Sequence, residues 1–122
     1  MMTTTRTLYA AFAVTAVAAL TLVACGAPAP EPGSPEALYI DLGCAKCHGA
    51  DRQGQRSGPP LVRIKDHWDE AELLEYLKNP KTFVVANPRL SYLDEQFPIA
   101  MPAYGTTNEE QLRKLAEFIL NS

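Results

Sequence analysis

An all-α domain of short helices is the fold class that this 122-residue sequence predicts. Three observations carry the prediction: apolar residues recur at helical spacing behind recognisable helix starts, no stretch alternates as a half-buried strand would, and the intervening segments are rich in Gly, Pro and charge. The first helix opens at Ser34-Pro35-Glu36-Ala37, a capping residue followed by proline in the first turn. Leu38, Tyr39 and Leu42 give it an apolar face that leads into Cys44. Ala50 to Asp66 reads as loop. A second helix spans Asp69 to Lys78, with Leu73, Leu74 and Leu77 on its apolar side. Asn87-Pro88 then opens a short extra helix with apolar spacing at Leu90, Leu93 and Phe97. Thr107-Asn108-Glu109-Glu110 fits a capping box, after which Leu112, Leu115, Phe118 and Ile119 form a stripe to the C-terminus.

Composition separates two regions. The first 24 residues hold 17 of the 57 apolar positions and a single charge, Arg6. The remaining 98 residues are about 41% apolar, enough for one small domain and thin for a large core. With Arg6 set aside, 10 basic residues face 14 acidic ones, a net charge of −4, which argues against nucleic acid or anionic lipid as a partner.

Leu8 to Ala24 runs without a charge behind Arg6, as an export signal does. It closes as Leu22-Val23-Ala24-Cys25, which resembles the lipobox of bacterial lipoproteins. That resemblance implies cleavage before Cys25 and lipid on its thiol; an uncleaved membrane anchor is the other reading of the same apolar run. The expected organisation is a signal peptide over 1–24, a lipidated Cys25 with a Pro-rich linker over 25–35, and one domain over 36–122. Prolines at 28, 30, 32 and 35 keep the linker extended. At about 3.1 Å per residue, ten residues hold the domain up to about 30 Å from a membrane. The expected location is a bacterial membrane facing the periplasm, with Gly26 after the cysteine tilting the expectation to the outer membrane.

Cys44-Ala45-Lys46-Cys47-His48 is a complete CxxCH. Two thiols at this spacing can add to the two vinyl groups of one haem, and the following histidine then lies under the iron. A redox dithiol or half a zinc site needs only the CxxC, but no second CxxC exists and the only other histidine is His67. One covalent haem c per chain is expected, with Cys44, Cys47 and His48 holding it.

An iron with one histidine needs a sixth ligand. Met1 and Met2 belong to the signal, so Met101 is the only methionine of the remaining chain. It stands in Pro98-Ile99-Ala100-Met101-Pro102-Ala103-Tyr104, where flanking prolines stiffen the loop and can fix the thioether in place. A core-filling role for Met101 and ligation by His67 are the alternatives.

With these motifs in place, the chain from Ser34 to Ser122 resembles the class I mono-haem c-type cytochromes. The resemblance implies their small all-α fold, helices packed around one covalently attached haem. Gly58-Pro59-Pro60-Leu61 is similar to the family's GPxL stretch, which implies that the Pro59 carbonyl accepts the proximal histidine's Nδ1 proton and orients it. The run from Trp68 to Lys81 is similar to the helix that follows in mitochondrial-type members. It implies that the Trp68 indole donates to a haem propionate and that the Tyr76 hydroxyl lies near the methionine. The chain departs from the family where Pro35, Glu36 or Ala37 stands in place of a glycine in the first helix. It also departs in the added segment Asn87 to Phe97, which either covers a haem edge or adds local core.

Two filled axial positions imply outer-sphere electron transfer, without enzymatic turnover or a small-molecule substrate. The soft thioether and the apolar surroundings both favour Fe(II) and raise the potential. Partners are expected to be redox proteins acting as electron donor and acceptor, with the membrane engaged through lipid on Cys25. Arg52, Arg56, Arg63 and Lys65 either frame a positive docking surface or are scattered solvated side chains. Two rival functions follow from the same residues. One is a haem subunit docked to a larger oxidoreductase through 88–97. The other is a ligand-binding sensor or peroxidase in which Met101 leaves the iron.

Overall fold

Short helices joined by loops fill the chain from Pro35 to Leu120 in a computed structural model that describes residues 26–122. The expected signal segment over 1–24 and the expected lipid site Cys25 lie outside the described residues. The helices are α1 (Pro35–Asp41), α2 (Cys44–His48), α3 (Glu70–Lys78), α4 (Pro80–Ala86), α5 (Pro88–Gln96) and α6 (Glu109–Leu120), with a 3-10 turn at Ile64–Asp66. Among the described residues there is no strand, only an isolated bridge between Gln55 and Gly58. No helix among them is long and apolar enough to cross a membrane.

Local chemistry sets most boundaries. The Ala37 N–H donates to Ser34 Oγ at 3.1 Å, and Pro35 supplies the fixed φ of a first turn. The Glu72 N–H donates to Asp69 Oδ1 at 2.8 Å at the start of α3. Asn87 Oδ1 accepts from Arg89 and Leu90 at 3.0 and 3.4 Å, which starts the extra helix where the sequence places it. The cap of α6 sits one residue later than the capping box predicts. Asn108 Oδ1 accepts from Glu110 and Gln111 at 3.0 and 3.2 Å, because the Thr107 N–H is committed to a turn with the Tyr104 carbonyl at 2.9 Å.

Helix α4 is an addition to the sequence reading, which has nothing helical between Lys81 and Asn87. It packs on α3 and α5 through Phe83 and Val84. Helix α6 packs on both α1 and α3, and its Leu112, Leu115, Ala116 and Ile119 meet Tyr39, Leu73, Leu74 and Leu77 in one core. Leu115 and Ala116 have no exposed surface. Each fully buried leucine in this core contributes about 1.5–3 kcal/mol of transfer free energy. The terminal helices meet without the family's glycine: Ala37 is buried, and Tyr39 packs edge-on to Phe118 at 6.0 Å between centroids. The result is a small core on one side of a cleft, whose other side is built by α4, α5 and the Met101 loop.

Candidate haem site

Gly43, at φ 82°, turns the chain out of α1 and into the single turn of α2, and Gly49, at φ 83°, turns it out again. One helical turn sets Cys44 and Cys47 on a common face at i and i+3, with His48 at i+4 from Cys44. Cys44 is buried and Cys47 half-buried, and both are free thiols. Burial pushes the Cys44 thiol up from its ordinary value. His48 Nδ1–H donates to the Pro59 carbonyl at 2.7 Å, since a carbonyl can only accept. Nε2 therefore keeps its lone pair. Burial holds the His48 pKa below the usual histidine value, with the Pro59 bond opposing, so the imidazole is neutral at pH 7 and competent as a ligand.

The loop after α2 is folded back to support it. Gly54 N–H donates to the His48 carbonyl at 2.8 Å, Gln55 Nε2 to the carbonyls of Ala45 and Lys46 at 2.9 and 3.0 Å, and Ser57 Oγ to Lys46 at 3.1 Å. These bonds satisfy the carbonyls that a short helix leaves without partners. Gly58 is required by contact: a Cβ there would stand 2.8 Å from the Cys47 carbonyl oxygen. Tyr39 adds a bond from α1, its hydroxyl donating to the Gly49 carbonyl at 2.8 Å.

Arg52 joins this scaffold. Its guanidinium lies 4.4 Å from the centroid of the Phe118 ring, which ties the loop to α6. Arg63 pairs with Asp66, and Arg56 and Lys65 are exposed. None of the four lines the cleft.

The cleft holds three cavities of about 330, 100 and 260 Å³, and His48, Pro59 and Met101 stand on the wall of every one. Cys44 and Cys47 line the third cavity. Trp68 lines the second, and Tyr76 the first and second. Met101 is held by its neighbour Tyr104, whose N–H donates to the Leu77 carbonyl at 2.9 Å and whose hydroxyl donates to the Leu42 carbonyl at 3.2 Å. His67 is exposed and lines none of the cavities.

The sequence reading missed Val84 and Val85 of α4 and Arg89 of α5, all of which line the cleft. For α4 the available signal was Pro80 behind Asn79, an acceptable first helical turn. Within 88–97, Leu90 joins the core, while Leu93, Asp94 and Phe97 line the cleft.

These residues fit a haem. Two thiols, a neutral imidazole, a thioether and the rings of Trp68 and Tyr76 line the cavities, and the rest of the lining is mostly apolar. Among the described residues no group of three His, Cys, Asp or Glu side chains converges as a metal site of the zinc type requires.

A strand-free helical domain with a CxxCH turn on an apolar cleft defines a small haem protein. The chain belongs to the cytochrome c family, whose model matches residues 36–122. Neither a comparison with curated proteins nor one with solved structures finds a match. The family carries covalently attached haem c, one per domain, and its members transfer electrons between redox partners. The match fits the class I c-type cytochromes expected from the motifs.

Proposed function

We propose that the domain is a membrane-tethered one-electron carrier whose iron takes His48 and Met101 as its two axial ligands. One observation carries the reading: His48 and Met101 both line all three cavities of the cleft, and Pro59 accepts from the histidine's Nδ1. The haem supplies the Fe(II)/Fe(III) couple. Cys44 and Cys47 fix the macrocycle through thioethers, and Pro59 fixes the His48 tautomer. Trp68 would donate its indole N–H to a propionate, and Tyr76, which lines two cavities together with Met101, would stand near the thioether. A rigid scaffold around both ligands limits reorganisation, and a closed coordination sphere leaves no position for a substrate.

In this reading residues 1–24 are removed on export, Cys25 carries lipid, and the linker holds the domain on the periplasmic side of the membrane, the outer membrane by preference. The charge-free run Leu8 to Ala24 and the Leu22-Val23-Ala24-Cys25 sequence support it. Mass spectrometry of the detergent-extracted protein tests the tether. A mass that includes a diacylglycerol on Cys25 and lacks residues 1–24 is expected; a mass that retains Met1 to Ala24 contradicts it.

For the ligand set, the test is carbon monoxide titration of the reduced holoprotein beside its Met101→Ala variant. The expected result is inertness in the parent and ready binding in the variant. Ready binding by the parent would favour a sensor or peroxidase. A second reading, a subunit docked on a larger oxidoreductase, is favoured by Val85 of α4 and Tyr92 of α5, which are 90% and 61% exposed. Migration of the native detergent extract as a monomer contradicts that one.

A further inference from the structure

Arg89 is the only Lys or Arg on the wall of the second cavity, which is otherwise built from residues such as Trp68, Tyr76, Leu77, Leu90 and Met101. It comes from the first turn of α5, the added segment. Its guanidinium lies 5.6 Å from the centroid of the Trp68 ring, and the side chain is half-buried. Among the described residues Arg89 forms no ion pair; the other Lys and Arg side chains without one are exposed, apart from Arg52, which lies over the Phe118 ring. A half-buried cation that borders an apolar cavity without a carboxylate partner is costly unless an anion enters the cavity with the ligand.

We infer that Arg89 is an anchor for a haem carboxylate, so that α5 supplies the counter-charge for one propionate. The planar guanidinium offers paired donors to a carboxylate, and the Trp68 face beneath it holds the fork in one orientation. Trp68 and Arg89 then act together, the indole as a neutral donor and the guanidinium as the charged one. Asp94, on the same helix, lines the neighbouring first cavity; it opposes Arg89 in the field at the Tyr76 hydroxyl. The inference rests on the haem seating proposed above, since it needs the macrocycle in the cleft with its propionate edge toward α5. A cation paired with the propionate would also favour reduction, because it offsets negative charge near the iron.

Two measurements on the holoprotein test this. In the ferrous, diamagnetic state, nuclear Overhauser contacts are expected between the Arg89 side-chain protons and the propionate methylenes. Contacts from Arg89 to the Trp68 ring alone would overturn the inference. In the second, Arg89→Gln keeps most of the packing and removes the charge. Its midpoint potential is expected to fall, and Arg89→Lys is expected to restore most of the loss. An unchanged potential in Arg89→Gln, with the parent's visible spectrum intact, overturns it. Failure of the ligand reading is recognised separately, because the parent itself would then bind carbon monoxide. Should Arg89→Gln not fold, the proton contacts in the parent decide alone.

Discussion

His48 and Pro59 are joined by a 2.7 Å hydrogen bond from Nδ1–H to the carbonyl oxygen. The residue before that carbonyl, Gly58, is pressed against Cys47. The attachment turn and the loop that orients its histidine are therefore one rigid unit. An orientation set by backbone contact is harder to lose than one set by a flexible side chain.

Gly58→Ala tests that unit. The added methyl would meet the Cys47 carbonyl oxygen at 2.8 Å and its carbon at 3.0 Å, both backbone atoms, so the loop must move. Overpacking of this kind costs about 1–3 kcal/mol. A longer His48–Pro59 bond also makes the imidazole a weaker donor, which disfavours the ferric form and raises the potential. A lower thermal midpoint together with a higher midpoint potential is expected; parent values for both would show that the contact is not restrictive.

Much of this was legible in the sequence, for local reasons. Ser34, Asp69 and Asn87 cap helices with their own side chains, and CxxCH is a contiguous motif. Helix α4 was not legible because Thr82-Phe83-Val84-Val85 is rich in β-branched residues that favour helix weakly. Its conformation is fixed by packing, with Phe83 lying 6.0 Å from Trp68 and 5.8 Å from Tyr76 between ring centroids. Arg52 and Arg89 were unreadable for a related reason. The rings they cover, Phe118 and Trp68, are distant in sequence and arrive only with the tertiary fold.

Tyr104→Phe should loosen the Met101 loop. The hydroxyl's bond to the Leu42 carbonyl, at 3.2 Å, ties that loop to the end of α1. Its loss costs about 0.5–1.5 kcal/mol. The rate at which added imidazole displaces the thioether from the ferric protein is expected to rise, while the Tyr104 N–H bond to Leu77 keeps the loop in place. An unchanged displacement rate would mean that the hydroxyl does not restrain Met101.

Arg52→Ala should act on stability and not on partner docking. Removing the cation from the Phe118 face costs about 0.5–1 kcal/mol at a partly exposed site. The denaturant midpoint is expected to fall, while the ionic-strength dependence of electron exchange with a small charged redox reagent stays that of the parent. A change confined to the ionic-strength dependence would return Arg52 to the docking surface.

Alkaline stability should depend on Tyr39. Burial is the largest cause of a rise in its hydroxyl pKa from 10.0 to about 12, and it remains once Cys44 is a thioether and can add no thiolate charge. The fold thus favours the protonated phenol. That contribution is whole below the unfolded value of 10.0 and is lost as pH rises toward about 12. Helical circular dichroism followed against pH should show a decline through this window that Tyr39→Phe makes shallower. Parallel curves for the two proteins would remove Tyr39 as the cause.

The most direct test of the account uses the fact that Met101 is the only methionine after residue 24. Selective methyl labelling of the lipidated or linker-truncated holoprotein therefore gives one methionine signal. In the ferrous state a thioether methyl seated on the iron lies over the macrocycle and is strongly shielded by its ring current. A single methyl resonance far upfield of the ordinary methionine position is predicted. A resonance at the ordinary position would show Met101 off the iron and would contradict the electron-carrier account.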